Sequence, residues 1–585
     1  MYFYFMLKII LIVLFTKSLL LAEDNIDEHK ASPESAFSTS NIYKSFKSNK
    51  FMAVTADHRA TSSAVKILES GGTAIDAAIS AQMILNLVEP QSSGIGGGAF
   101  IIYYNANSNN LEAWDGREKA PLNYREDIFL NEDGKRKGFI EAVSGGLAVG
   151  APPLIHLLEK VHEKHGIMPW DSLFSDAINY SSNGFIVGER LEKLIKRAPH
   201  LKNSKFTKDY FNVENGGLKA GSKKLNKEFA KTLEKIKSNG SKAILDGEIN
   251  TSIIETVNNS KKNPGLLVKE DFLNIEPVMR TPVCGNYRKW KICGMGLPSS
   301  GGITVLQILG ILNNFNLTNL NESEIWHLYI EASKLAYSDR NYYIADSDFI
   351  KVPVSQMLSS FYLKERSKLI DKDKVLDSLA PGIFHNFEKT HNGLDSNSEK
   401  PSTTHISIID RYGNAISMTS SIEFMFGSGL MASGFLLNNQ MTDFSFYPKD
   451  KNGNLIANRP QPGKKPRSSM SPTIVFDSDG KIKIILGSPG GSRIICYVAA
   501  SIIRLIDLDI DPEKVTLEAN ICNRGGKTTI EKGKIGDSIA EALLLKGHNV
   551  TRKNMTSGLH IIFQNNSDEF YGVADQRREG AAFGL

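Results

Sequence analysis

Near residue 400 the chain changes character within a few positions, and that border constrains it most. At Pro401-Ser402-Thr403-Thr404-His405-Ile406-Ser407 a polar, helix-breaking stretch gives way to an alternating strand pattern. A threonine there has an ordinary reading as β-propensity and a chemical one. If the chain is cut before Thr403, a hydroxyl and a free α-amine sit on one residue. The amine, with an unperturbed pKa of about 7.7 to 8.0, is able to take the hydroxyl proton as the oxygen attacks a carbonyl. No separate histidine is then required, and the surroundings of Thr403 decide between the two readings.

Composition excludes several classes. The 585 residues are 41% apolar and 23% charged, an ordinary globular balance with length for about three to five domains. A net charge of +5 on so long a chain, without a basic stripe of interleaved aromatics, offers no footprint for nucleic acid. Residues 1–22 carry Lys8, the apolar run Ile9 to Phe15 and a second run Leu19 to Ala22 before Glu23-Asp24. This reads as a secretory signal peptide cut near Ala22, with an uncleaved membrane anchor as the alternative. Either way the body of the protein is expected to be periplasmic or secreted, and no later segment is long and apolar enough to span a bilayer.

Four cysteines are too few for a disulfide framework. Cys284 and Cys293 flank a hairpin-like stretch and are placed to pair in an oxidising compartment; Cys496 and Cys522 read as buried thiols. None has zinc-ligand spacing. His162-Glu163-Lys164-His165 has one residue too few for H-E-x-x-H and reads as a solvated helix face. Nothing calls for a metal or organic cofactor.

Along the chain, residues 23–50 are polar and aperiodic, a flexible leader. Ala60 to Val88 has helical apolar spacing. Gly94-Ile95-Gly96-Gly97-Gly98-Ala99 superficially fits a dinucleotide fingerprint, but it precedes a strand rather than a helix, which rejects that reading. Residues 140 to 270 are mainly helical, and apolar helices are expected from Ile303 to Leu312 and from Trp326 to Tyr343. His385 to Ser402 loses all period, a place for disorder or a cut. Past Thr403 strands dominate, interrupted by helical runs at Ile494 to Leu508 and Ser538 to Lys546.

His405 to Asp410 and Ala415 to Ser421 both alternate around Arg411-Tyr412-Gly413, a three-residue hairpin loop with glycine in the left-handed position. Counting outward from the pair Asp410 and Asn414 sets Thr403 opposite Ser421, with Glu423 on the same face. Three further segments converge. Leu436-Leu437-Asn438-Asn439-Gln440-Met441-Thr442-Asp443-Phe444 runs a strand into amides and a carboxylate. Arg467-Ser468-Ser469-Met470-Ser471-Pro472 supplies adjacent hydroxyls. Gly487-Ser488-Pro489-Gly490-Gly491-Ser492-Arg493 is a glycine turn opening a helix, where backbone N–H groups form an anion site or an oxyanion hole.

These motifs, in this order from about Phe51 to the C-terminus, strongly resemble the gamma-glutamyltransferase (glutathione hydrolase) family of the N-terminal nucleophile hydrolase superfamily. The resemblance implies an α+β fold, a four-layer αββα sandwich, and a precursor that cuts itself into a large subunit (51–402) and a small one (403–585), which stay together as a heterodimer. It implies Thr403 as nucleophile and base, Ser421 as the hydroxyl that orients it, and Gly490 and Gly491 as the oxyanion hole. Arg117, in Trp114-Asp115-Gly116-Arg117-Glu118-Lys119-Ala120-Pro121, would grip the α-carboxylate of a γ-glutamyl group with Ser468 and Ser469. The α-ammonium would meet Gln440, Asp443 and Glu423, whose charge should attract it where the family often has asparagine. Phe444 to Arg467 corresponds to a lid in several relatives, here with Tyr447 as its single tyrosine. The competing expectations are another amide hydrolase of the superfamily, such as a β-lactam side-chain acylase or a polyglutamate-processing amidotransferase, and a non-catalytic secreted homologue.

Overall fold

The computed structural model describes residues 44–585 apart from 377, 385, 386, 388–390, 392 and 396–401. The signal segment, most of the leader and most of the stretch where a cut is expected therefore lie outside the described residues; Ser402 and Thr403 lie within them.

Two seven-stranded antiparallel sheets organise the chain. In chain order their strands are β1 (Ser45–Ser48), β2 (Met52–Thr55), β3 (Gly98–Asn105), β4 (Asn110–Gly116), β5 (Val278–Arg280), β6 (Val283–Tyr287), β7 (Trp290–Gly294), β8 (Thr404–Ile409), β9 (Ala415–Ser421), β10 (Thr473–Phe476), β11 (Ile482–Gly487), β12 (His560–Gln564), β13 (Phe570–Ala574) and β14 (Ala581–Gly584). One sheet runs β1-β13-β12-β11-β10-β7-β6, the other β14-β2-β8-β9-β3-β4-β5. The sheets touch through β8 and β9 against β11, and β2 and β8 against β12. Each therefore interleaves strands from before and after Thr403.

Helices cover the outer faces. α1 (His58–Glu69) and α2 (Ala74–Val88) pack together, and α2 lies on β8 and β9. A capping box between Thr73 and Asp76 starts α2, satisfying two otherwise orphaned N–H groups. Every residue of α2 is buried, as suits a helix apolar all round. On the other sheet α3 (Gly301–Leu312) packs against β6 and β7 and is flanked by α4 (Glu322–Tyr343) and α5 (Ile494–Ile506).

The alternation of β8 and β9 marks two buried faces. Ile406, Ile408, Ile416 and Met418 join the core under α1 and α2. The polar set faces the other sheet instead of water. There the Ser407 hydroxyl donates to the His560 carbonyl at 2.9 Å and the Ser417 hydroxyl to the Leu486 carbonyl at 2.9 Å. His405 Nδ1 lies 2.8 Å from the Thr419 hydroxyl. Buried polar groups persist only when paired in this way.

That layer predicts acid sensitivity. Burial lowers His405 well below its usual range and His560 to about 3 in this layer, and outside it brings His200, beside Phe424, down to about 4. Each stays neutral in the fold but takes a proton near pH 6.5 when unfolded, so stability falls as pH drops from about 6.5, by about 2 kcal/mol per histidine at pH 5. Thermal melting at pH 7 and pH 5 should show this loss, with little change from pH 7 to 8.

Three sequence expectations need correction. Ser45–Ser48, inside the supposed leader, is an edge strand held by main-chain pairing with β13, which needs no apolar alternation. Cys496 and Cys522 form a disulfide, as Cys284 and Cys293 do. The first pair joins α5 to the short strand Ile521–Cys522, a contact that sequence spacing does not encode. His162 and His165 are not solvated: one lies 2.9 Å from the Met168 carbonyl and the other 2.8 Å from the Glu112 carboxylate.

Candidate active site

The hairpin places Thr403. Gly413 adopts φ +81°, and the Asp410 carboxylate accepts from the N–H groups of Tyr412 and Asn414 and, beyond the hairpin, from Ala74 at the start of α2. The ladder pairs Thr404 with Ser420, which continues to Thr403 opposite Ser421, their hydroxyl oxygens 3.2 Å apart. The glycine run before β3 permits this closeness. A Cβ on Gly97 would meet the Ser421 carbonyl oxygen at 2.1 Å, and one on Gly96 the Leu436 carbonyl oxygen at 2.1 Å. Those glycines seat β9 and the 436–443 segment against β3.

The peptide bond between Ser402 and Thr403 is gripped from both sides. The Thr403 hydroxyl donates to the Ser402 carbonyl oxygen, and the Ser421 hydroxyl reaches the same oxygen at 3.1 Å. Ser421 in turn accepts from the Glu423 N–H at 2.9 Å. The Ser402 hydroxyl donates to the Gln91 carbonyl at 2.5 Å. Arg578 donates to the Thr403 carbonyl at 3.0 Å and, through Nε, to the Ser557 carbonyl at 3.2 Å.

One cavity gathers Thr403 and Ser421 with Arg117, Glu423, Gln440, Asp443, Ser468, Ser469 and Gly491; Ser402, Met470 and Ile494 complete its lining. Of the ten residues expected at the site, Gly490 alone does not line it. Gly490 stands behind Gly491 at the end of β11 with φ +142°, and Gly491 has φ +57°, both in the region that favours glycine. The turn Gly491–Arg493 then leads into α5.

Charge is divided across the cavity. Arg117 donates to Asp443 at 2.6 Å and to the Arg467 carbonyl at 3.1 Å, and Gln440 also donates to Asp443 at 2.6 Å. Asp115 accepts from the Arg117 N–H at 3.0 Å and from Lys465 at 2.6 Å, which fixes the backbone that presents the guanidinium. Burial, and then the Asp443 carboxylate, push Glu423 well above the usual carboxylate range. That push runs against the expectation of an attracting charge at this position. Glu423 also adopts φ +74°, backbone strain that costs about 1–3 kcal/mol and tends to persist where a site requires it.

Sequence reasoning missed several participants. Arg340, in the last turn of α4, donates to the Ser469 hydroxyl at 2.7 Å and to Ser300 at 2.8 Å. Arg578 and Glu118 were equally silent; Glu118 is fully buried, 3.9 Å from Arg117, and pushed up by burial to about 7. The expected lid segment turns its aromatics away from the cavity. Phe446 stacks on Phe129 with centroids 4.7 Å apart, and the Tyr447 hydroxyl accepts from the Arg136 N–H at 3.3 Å.

Comparison with known proteins places this geometry. Residues 60–585 match the family model described as gamma-glutamyltranspeptidase. The chain is 34% identical over 550 residues to the glutathione hydrolase proenzyme of Escherichia coli, covering 92% of each chain. It is 33% identical over 549 residues to the protein of that name in Bacillus subtilis, covering 91% of each. In three dimensions it is similar to cephalosporin acylase from Bacillus halodurans, with a TM-score of 0.81 at 23% identity over 95% of this chain and 99% of that one, a likeness of fold.

Proposed function

The chain belongs to the gamma-glutamyltranspeptidase family, and from that premise we propose that it cuts itself before Thr403 and turns over γ-glutamyl amides through a γ-glutamyl ester on Thr403. Membership makes it a glutathione hydrolase and gamma-glutamyltransferase. The observation that carries the mechanism is the contact of the Thr403 and Ser421 hydroxyls with the Ser402 carbonyl oxygen.

In the uncut chain Thr403 Oγ attacks the Ser402 carbonyl carbon while Ser421 donates to the oxygen that gains charge. The C–N bond breaks, the departing nitrogen takes a proton, and water hydrolyses the ester. Ser402 is left with a carboxylate and Thr403 with a free amine. In the mature enzyme that amine accepts the hydroxyl proton as Oγ attacks the γ-carbonyl of glutathione. The N–H groups of Gly490 and Gly491 stabilise the oxyanion, cysteinylglycine leaves with the proton, and water or an amino-acid or peptide acceptor receives the γ-glutamyl group. Arg117, Ser468 and Ser469 take the substrate α-carboxylate, a planar anion suited to a guanidinium fork; Asp443, Gln440 and Glu423 take its α-ammonium.

We read the stacked sheets with helices on both outer faces as the four-layer αββα sandwich of N-terminal nucleophile hydrolases. Because strands from both sides of the cut pair with one another within each sheet, the two products would remain together as a heterodimer. A periplasmic or secreted location is favoured by the two disulfides, which persist in oxidising compartments.

Intact-mass measurement and N-terminal sequencing of purified protein test the proposal, followed by a glutathione assay. Two polypeptides are expected, the smaller beginning Thr403-Thr404-His405; a single unbroken polypeptide that hydrolyses glutathione at full rate overturns it. Ser421→Ala should slow cutting by about 100-fold, the typical cost of one donor to a developing oxyanion. Ser421→Thr should preserve it. The time course of band splitting on denaturing gels reads both.

A further inference from the structure

Far from this cavity in sequence, α4 carries His327 and Glu331 four residues apart, on one helix face, and His548 follows the helix Lys534–Leu545. All three side chains are buried, and one potential ligand atom from each lies within 4.8 Å of the others. We propose that His327, Glu331 and His548 bind one divalent transition-metal ion of the zinc class, tying α4 to the C-terminal segment.

The hydrogen bonds carry this further than proximity does. His327 Nε2 is 2.8 Å from the Asp371 carbonyl oxygen. A carbonyl only accepts, so Nε2 bears the proton and Nδ1 presents a lone pair, the backbone-fixed tautomer common to metal-bound histidines. That lone pair points at His548 Nε2, 2.7 Å away. If His548 Nε2–H donates to it, neutral His548 leaves an Nδ1 lone pair without a hydrogen-bond partner, 3.6 Å from a Glu331 carboxylate oxygen. If the proton sits on Nδ1 instead, two lone pairs face each other across 2.7 Å. Neither neutral tautomer satisfies the group, and a cation between the two nitrogens does.

The fit is close. Two imidazole nitrogens on a tetrahedral zinc, each at about 2.0–2.1 Å, stand about 3.3 Å apart, so the rings need to part by roughly half an ångström. Two imidazoles and a carboxylate, with room for water as a fourth ligand, are a donor set zinc accepts. The competing cation is Lys334, 2.6 Å from Glu331 Oε1; the other Glu331 oxygen accepts from the Leu376 N–H at 2.8 Å. The Lys334 side chain is 15% exposed, so its ammonium reaches water if the ion displaces it. On the opposite side Lys546 is engaged by Asp373 at 3.7 Å.

The test uses the full protein dialysed against zinc and then against metal-free buffer. One zinc per chain should be retained by elemental analysis, EDTA should lower the melting temperature, and added zinc should restore it. His548→Gln and His327→Gln should lose the ion, whereas Lys334→Gln should bind it more tightly, opposite to the result for a purely structural ion pair. If the histidine variants do not fold, cobalt added to the metal-free wild type should give visible d–d bands. No retained zinc together with no cobalt bands overturns the proposal and leaves His548 as an imidazolium paired with Glu331; zinc retained equally by folded His548→Gln overturns it too. None of these residues lines the cavity around Thr403, so either result leaves the proposed reaction standing.

Discussion

Thr403→Ala should accumulate as one uncut polypeptide and lose at least about 10⁴-fold in glutathione turnover, since nucleophile and base vanish together. The substitution removes one methyl and one hydroxyl from a residue that is 3% exposed, so the precursor should fold and melt close to the uncut wild type. Ser421 would still reach the Ser402 carbonyl, and Arg578 the Thr403 carbonyl. Polarising the peptide bond would then be intact while nothing attacks it. Thr403→Ser separates the roles: it keeps the hydroxyl and should still cut, more slowly, because it lacks the methyl that restricts χ1. Intact mass and a glutathione assay on both variants decide the matter. Cutting at the same bond in Thr403→Ala would mean that another group attacks, and the mechanism would be wrong.

The sequence made the neighbourhood of Thr403 legible because short-range rules set it. A glycine loop fixed the hairpin register, register fixed which hydroxyl faces Thr403, and the glycine turn after β11 announced itself by composition. The Cys496–Cys522 pairing, the contacts of Arg340 with Ser300 and Ser469 and that of Arg578 with Thr403 were illegible for one reason. Each arises where elements distant in sequence meet, and an arginine in the last turn of a helix or near the C-terminus carries no local pattern that names its partner. Glu423 shows the limit differently. Its identity suggested a charge, but burial beside Asp443 pushes its carboxyl well above the usual carboxylate range.

Arg117→Met should leave self-cutting intact yet lower kcat/KM for γ-glutamyl-p-nitroanilide by about 10²–10⁴-fold, the 3–5 kcal/mol typical of breaking a buried charge pair. Arg117 makes no contact with the Ser402–Thr403 bond; its guanidinium holds Asp443 and the carbonyls of Pro466 and Arg467. In the empty cavity the Arg117–Asp443 ion pair is internally neutral. On the proposed reading, a zwitterion such as an α-amino acid head group would open this pair without leaving a buried charge alone, its carboxylate going to Arg117 and its ammonium to Asp443. A substrate with only the ammonium leaves Arg117 uncompensated, at a cost of several kcal/mol. Consequently 4-aminobutyryl-p-nitroanilide, which lacks the α-carboxylate, should be a poor substrate of the wild type and should be affected little by Arg117→Met. Gel analysis checks that the variant is cut, and kinetics on the two anilides read the difference. Equal losses on both would show that Arg117 supports the fold of the cavity and does not select the substrate, returning the choice between γ-glutamyl transfer and general amide hydrolysis to other residues.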